Sequence, residues 1–126
     1  MIRYSILILI TFFSCGILHA QTVDIQRVDP PNWWAGMQTN SIQLLVYGEN
    51  IGGVNSVIIN KIDVDLIAVS RVKNPNYLFL DLQFHENAVP GLIPIVFEKN
   101  GKVHTYSYSL LPRSDNQIEH QGFDAS

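Results

Sequence analysis

The chain has 126 residues, with 8 Lys or Arg against 11 Asp or Glu and a formal net charge of −3. That length holds one domain, and an acidic balance without any basic stripe argues against nucleic acid or an anionic membrane surface as a partner. An apolar content of 47% fits a globular domain rather than a disordered chain.

Taken in order, the first twenty residues read as something other than the fold. Met1-Ile2-Arg3 is a short positive start, Ile6 to Phe13 ("ILILITFF") is a nearly unbroken apolar run, and "ILHAQ" closes it around the small residue Ala20. This is the layout of a secretory signal peptide over 1–20, with cleavage leaving Gln21 first. The run is shorter than the roughly 20 residues that a membrane-spanning helix needs. Cys15, the only cysteine, lies within the leader, so the mature domain is expected to carry no disulfide and no thiol chemistry. Cys15 reads as an ordinary leader residue; the alternative is a lipoprotein acceptor that would tether the protein to a membrane. Phe12 in place of the usual leucine, and the signal-like "GILHA" after the cysteine, favour the first reading.

Val23 to Val28 is the first predicted strand. It stops at Asp29-Pro30-Pro31, where proline removes backbone donors and holds the preceding residue extended. Both tryptophans come at once in "PPNWWAGMQ" (Pro30 to Gln38), which reads as a loop because the flanking prolines and Gly36 work against regular pairing. Ile42 to Tyr47 is the second strand, closed by Gly48, and Ser56 to Asn60, Val64 to Val72 and Tyr77 to Phe84 come next. The last of these alternates most clearly, with Leu78, Leu80, Leu82 and Phe84 on the face expected to meet the core. Pro90-Gly91 makes a turn, Leu92 to Lys99 a strand, and Asn100-Gly101 a hairpin turn into Val103 to Leu111. There Tyr106 and Tyr108 share a face with His104 and Leu110, opposite a polar face of Thr105, Ser107 and Ser109.

About seven short strands at roughly ten-residue spacing predict an all-β fold, an immunoglobulin-like antiparallel β-sandwich over 21–112. There is no Cys…Trp…Cys framework, so this likeness is architectural. From Arg113 to Ser126 the sequence "RSDNQIEHQGFDAS" is polar and without periodicity, and 113–126 reads as a linker toward a further domain.

Reactive residues are sparse. The histidines, His19, His85, His104 and His120, have no metal-ligand spacing, and neither a metal nor a cofactor is expected. Gly48, Gly52 and Gly53 come after a strand but precede no helical pattern, so they suit a tight connection rather than a phosphate loop. Asp63 and Asp65 fall on one face of a strand, where they are read as solvated in preference to an acid/base pair. No nucleophile elbow is present, and no catalytic residue is assigned. The candidate contact residues are Trp33, Trp34 and Met37. One indole can fill the open end of the sandwich while a neighbouring domain covers the other, or an indole face can stack on the C–H surface of a sugar ring. The residues themselves favour packing.

Several stretches carry a resemblance. "VDPPNWWAGMQTNSIQLLVYGENI" (Val28 to Ile51), "RVKNPNYLFLDL" (Arg71 to Leu82), "AVPGLIPIVFEKNGK" (Ala88 to Lys102) and "GFDAS" (Gly122 to Ser126) are similar to the N-terminal domain of bacterial cyclomaltodextrinases and neopullulanases, in the alpha-amylase family of glycoside hydrolases. The resemblance implies an immunoglobulin-like sandwich and places "GFDAS" at the entry to a catalytic (β/α)8 barrel. It also implies that the two-carboxylate chemistry lies in that barrel, so this chain alone is expected to be no enzyme. The implied partners are the barrel, which this chain lacks, a second copy in a homodimer of the full-length enzyme, and maltooligosaccharide in a cleft that the domain narrows. With the leader of 1–20, the expected location is across the inner membrane, in the periplasm. Two readings stay open beside it: a stand-alone α-glucan-binding module using Trp33 and Trp34, and a generic immunoglobulin-like or IPT-type interaction domain, which "VYGENIGG" also allows. If the tryptophans meet another surface, at least one should be exposed; full burial of both would mean ordinary core packing.

Overall fold

The computed structural model describes residues 22–113; the expected leader with Cys15, and all of the expected linker except Arg113, lie outside the described residues. Eight strands form: β1 (Arg27–Asp29), β2 (Asn32–Trp34), β3 (Ser41–Tyr47), β4 (Ser56–Ile59), β5 (Val64–Arg71), β6 (Tyr77–Phe84), β7 (Gly91–Lys99) and β8 (Lys102–Leu111). They build two four-stranded sheets, ordered β1-β3-β6-β5 and β2-β8-β7-β4, stacked as an immunoglobulin-like sandwich.

The core arises from the alternation of β6 and its neighbours. Register sets Ile42 beside Leu82, Leu44 beside Leu80 and Val46 beside Leu78, and all six are buried. Sheet two supplies Ile93, Ile95 and Phe97 from β7 and Tyr108 and Leu110 from β8, also buried. Each such aliphatic side chain contributes about 1.5–3 kcal/mol by leaving water, so this shared layer is what holds the sheets together.

The edges depart from expectation. Of Val23 to Val28 only the end joins a ladder, although Val23 is buried and the Gln26 amide donates to the Tyr47 carbonyl at 2.8 Å. The stretch holding Trp33 and Trp34 is a strand, not a loop. Proline removes donors only at positions 30 and 31, leaving Asn32 to Trp34 free to pair, in parallel, with Ser109 to Leu111 of β8. Pro30-Pro31 thus carries the chain from sheet one to sheet two. The Tyr108 hydroxyl donates to the Pro30 carbonyl at 2.9 Å and ties that crossover to the core. Burial, with Tyr106 close by, pushes the Tyr108 phenol well above the ordinary tyrosine range.

Local irregularities shape the strand ends and connections. A bulge between Leu66 and Ala68 leaves Ile67, on the exposed face, without a Cα partner on β6 and shifts the alternation of β5 beyond it. At Gly48 a Cβ would stand 2.0 Å from the Asp24 carbonyl oxygen, so no larger residue fits unless the backbone moves. The connection beyond it is a 3₁₀ turn, Ile51–Gly53, with Ile51 buried. Asn100 and Gly101 both take left-handed φ values, 52° and 79°, as a two-residue hairpin turn requires.

Candidate functional site

β2 presents its two indoles to different sides because successive strand residues alternate. Trp33, beside Leu110, is half-buried against the core, and its Nε1 is buried without a hydrogen-bond partner among the described residues. Trp34, beside Leu111, is 38% exposed, and Met37 is 37% exposed. The two rings lie 6.0 Å apart at 55°.

After β2 the chain leaves the sheet in a defined way. The Ala35 amide donates to the Leu111 carbonyl at 2.8 Å, and Gly36 then turns with φ 75°, a conformation that glycine adopts without penalty. The Arg113 guanidinium donates to the Gly36 carbonyl at 2.9 Å. The loop rejoins the body where the Phe84 amide donates to the Asn40 carbonyl at 2.7 Å. Between residues 34–40 on one side and 84–86 on the other lies a cleft of about 430 Å³.

Charged groups line its far wall and the turn beneath. His85 Nε2 is 2.7 Å from an Asp65 carboxylate oxygen, with both side chains about half exposed. Asp63 lies in the turn before β5 rather than on a solvated strand face. It pairs with Lys61 and accepts from the Val89 amide at 2.8 Å, while the His85 amide donates to its carbonyl at 2.9 Å. Burial pushes the Asp63 carboxyl up, but Lys61 and the Val89 amide outweigh it and hold the group below its ordinary value. Asp63 and Asp65 therefore have separate partners and do not form an acid/base pair. Among the described residues no group of three or more His, Cys, Asp or Glu is placed to hold a metal ion.

Of the three residues singled out from sequence, Trp34 and Met37 line the cleft and Trp33 stands behind it. The opposite wall, Phe84, His85 and Glu86, is not among the residues that the sequence marks as a site. Its only sequence signal is that the alternation of β6 ends at Phe84, which places His85 at a strand end; nothing local tells which loop faces it.

The described residues thus form a β-sandwich with a mixed aromatic and polar cleft at the end where Leu111 and Arg113 lie. A family model described as "Cyclomaltodextrinase, N-terminal" matches residues 27–114. That is most of the chain, and the chain belongs to this family of cyclomaltodextrinase N-terminal domains. The family supports an accessory domain of an amylase-family enzyme, associated in full-length enzymes with a catalytic barrel.

Proposed function

We propose that this protein is the non-catalytic accessory domain of a maltodextrin- or cyclodextrin-degrading glycoside hydrolase, seated on a (β/α)8 barrel through the end that carries Trp34 and Met37. One observation supports this reading: the last described residues lie beside the cleft. Leu111 pairs with Trp34 and Arg113 holds the Gly36 carbonyl, so the chain beyond Arg113 begins within a few residues of the exposed indole. A partly exposed tryptophan and methionine beside the last described residues have the composition of an interdomain contact. In this setting the domain shapes the substrate cleft and aids dimerisation, and the enzyme works in the periplasm after export.

The test is association in trans with a cyclomaltodextrinase barrel stripped of its own N-terminal domain. Wild-type chain should bind it, and the double variant W34A/M37A should bind about tenfold or more weakly, as expected where an aromatic anchor is lost. The chain alone should release no reducing sugar from β-cyclodextrin. Turnover by the pure chain, or equal binding by the double variant, would overturn the proposal.

A further inference from the structure

The edges of the two sheets are unequal. Sheet two ends on β2 and β4, three and four residues long, whereas sheet one ends on β1, with three residues, and on β5, with eight. A short edge strand offers little to pair with, but a long one presents a row of free N–H and C=O groups to any chain that can lie beside it. β5 is the long edge among the described residues, and its bulge at Ile67 falls near its middle. We infer that this bulge is an edge guard: the extra residue keeps β5 from pairing, strand to strand, with a second copy of this chain. It does not rest on the accessory-domain reading, since the edge belongs to this chain alone.

The ladder itself does not need Ile67. Leu66 pairs with Leu82 and Ala68 with the adjoining residue, Asp81, so every position of β6 in this region has its partner without it. Nor does the core need it, because Ile67 is 59% exposed. A residue that neither pairs nor packs acts chiefly on the path of its own strand, and a bulge bends the strand and increases its twist. Other means of blunting an edge are missing from Leu66 to Ser70, a stretch without lysine, proline or any charge. The charged groups nearer the ends of β5 are already engaged: Asp65 with His85 at 2.7 Å, and Arg71 with the Gly52 and Val54 carbonyls. Straightened, Val64 to Ser70 would be an edge of high β-propensity with neither proline nor glycine, the composition of a self-pairing segment. Ile58 on the neighbouring edge strand β4 and Ile62 in the turn between the two are exposed as well, which adds apolar surface to the same side of the sandwich.

The test is self-association of the full chain, parent and variants alike, measured by sedimentation equilibrium, with circular dichroism as the check on folding. Deleting Ile67 joins Leu66 to Ala68, keeps the remaining β5–β6 pairs and straightens the edge. Self-association should then tighten about tenfold or more relative to the parent. Hydrogen exchange in the assembled variant should show new protection within residues 64–71. Adding Ala68→Lys to the deletion should return association to the parent level, since a lysine on an edge strand opposes pairing without restoring the bulge. Ile67→Ala and Ile67→Asp, which keep the extra residue and change only its side chain, should associate no more tightly than the parent. Association unchanged by the deletion, raised equally by Ile67→Ala, or accompanied by new protection only outside β5 overturns the inference. Loss of the β-sheet signal in the deletion variant overturns it too, because Ile67 would then be needed by the fold rather than by its edge.

Discussion

The two ends of the sandwich are built on different terms. β3 runs from Ser41, beside Gln83, to Tyr47, beside Tyr77, so the cleft lies at one end and the Gly48 to Val54 connection at the other. The far end is laced shut. Arg71 donates to the Gly52 carbonyl at 3.0 Å and the Val54 carbonyl at 2.7 Å, Gly52 donates to the Pro75 carbonyl at 2.9 Å, and the Asn55 side chain accepts from the Asn100 amide at 2.8 Å. Ile51 and Val54 are buried beneath these bonds. At the cleft end residues 36–39 are all exposed, and the described ties of that loop come at its margins, at Ala35, Gly36 and Asn40. At the far end every connection is tied down; at the cleft end Asp63 ties the 85–89 side, while residues 36–39 opposite are left exposed.

That contrast can be broken or sharpened by substitution. Gly48→Ala at the laced end should have the largest effect, a loss of about 2–4 kcal/mol in urea unfolding, because the added carbon meets backbone rather than a movable side chain. Tyr108→Phe removes the hydroxyl bound to Pro30 and should lose about 1–1.5 kcal/mol by the same measurement. Asp63→Asn should be smaller, about 1 kcal/mol near pH 7, and should depend on pH. The folded Asp63 carboxyl titrates below its ordinary 3.8, so its contribution is present above that value and disappears as pH falls through the folded one. The parent and Asp63→Asn should therefore differ at neutral pH and converge in acid; a constant gap down to pH about 2 would contradict the ion-pair account. Least of all, Gln38→Ala, on the exposed stretch of the cleft loop, should change stability by no more than about 0.5 kcal/mol. Were it to destabilise as strongly as Gly48→Ala, the cleft end would be structural and the contrast would collapse.

Where packing is local the sequence is a good guide, and where it is distant it is not. Tyr77 to Phe84 is legible residue for residue, since its two-residue alternation is the same pattern that buries Leu78, Leu80, Leu82 and Phe84. The hairpin at Asn100-Gly101 is legible for an equally local reason, the left-handed backbone both positions need. β2 escapes a reading by pattern because its partner, β8, lies at the other end of the domain, and parallel pairing between remote segments leaves no periodicity in a three-residue stretch. The Ile67 bulge is hidden likewise, since Val64 to Val72 is apolar on both sides of the slip. The candidate cleft is half legible. Trp34 and Met37 stand out by residue type, and the expectation that at least one tryptophan is exposed holds for Trp34. By spacing, His85 invites only a comparison with metal ligands, and Asp65 only one with paired carboxylates; the fold, not the spacing, brings the two together.

The pairing of Asn32 to Trp34 with Ser109 to Leu111 also sets an order of events during synthesis. A ribosome makes the tryptophans early and their strand partner last, so β2 has nothing to pair with until almost the whole domain has been translated. Until then both indoles are available to chaperones or to other chains. The strand that carries one wall of the cleft is thus paired only once the last described strand has been made. A frameshift or cut just before Ser109 would strip the strand partner from Asn32 to Trp34, while sheet one would keep every strand it has.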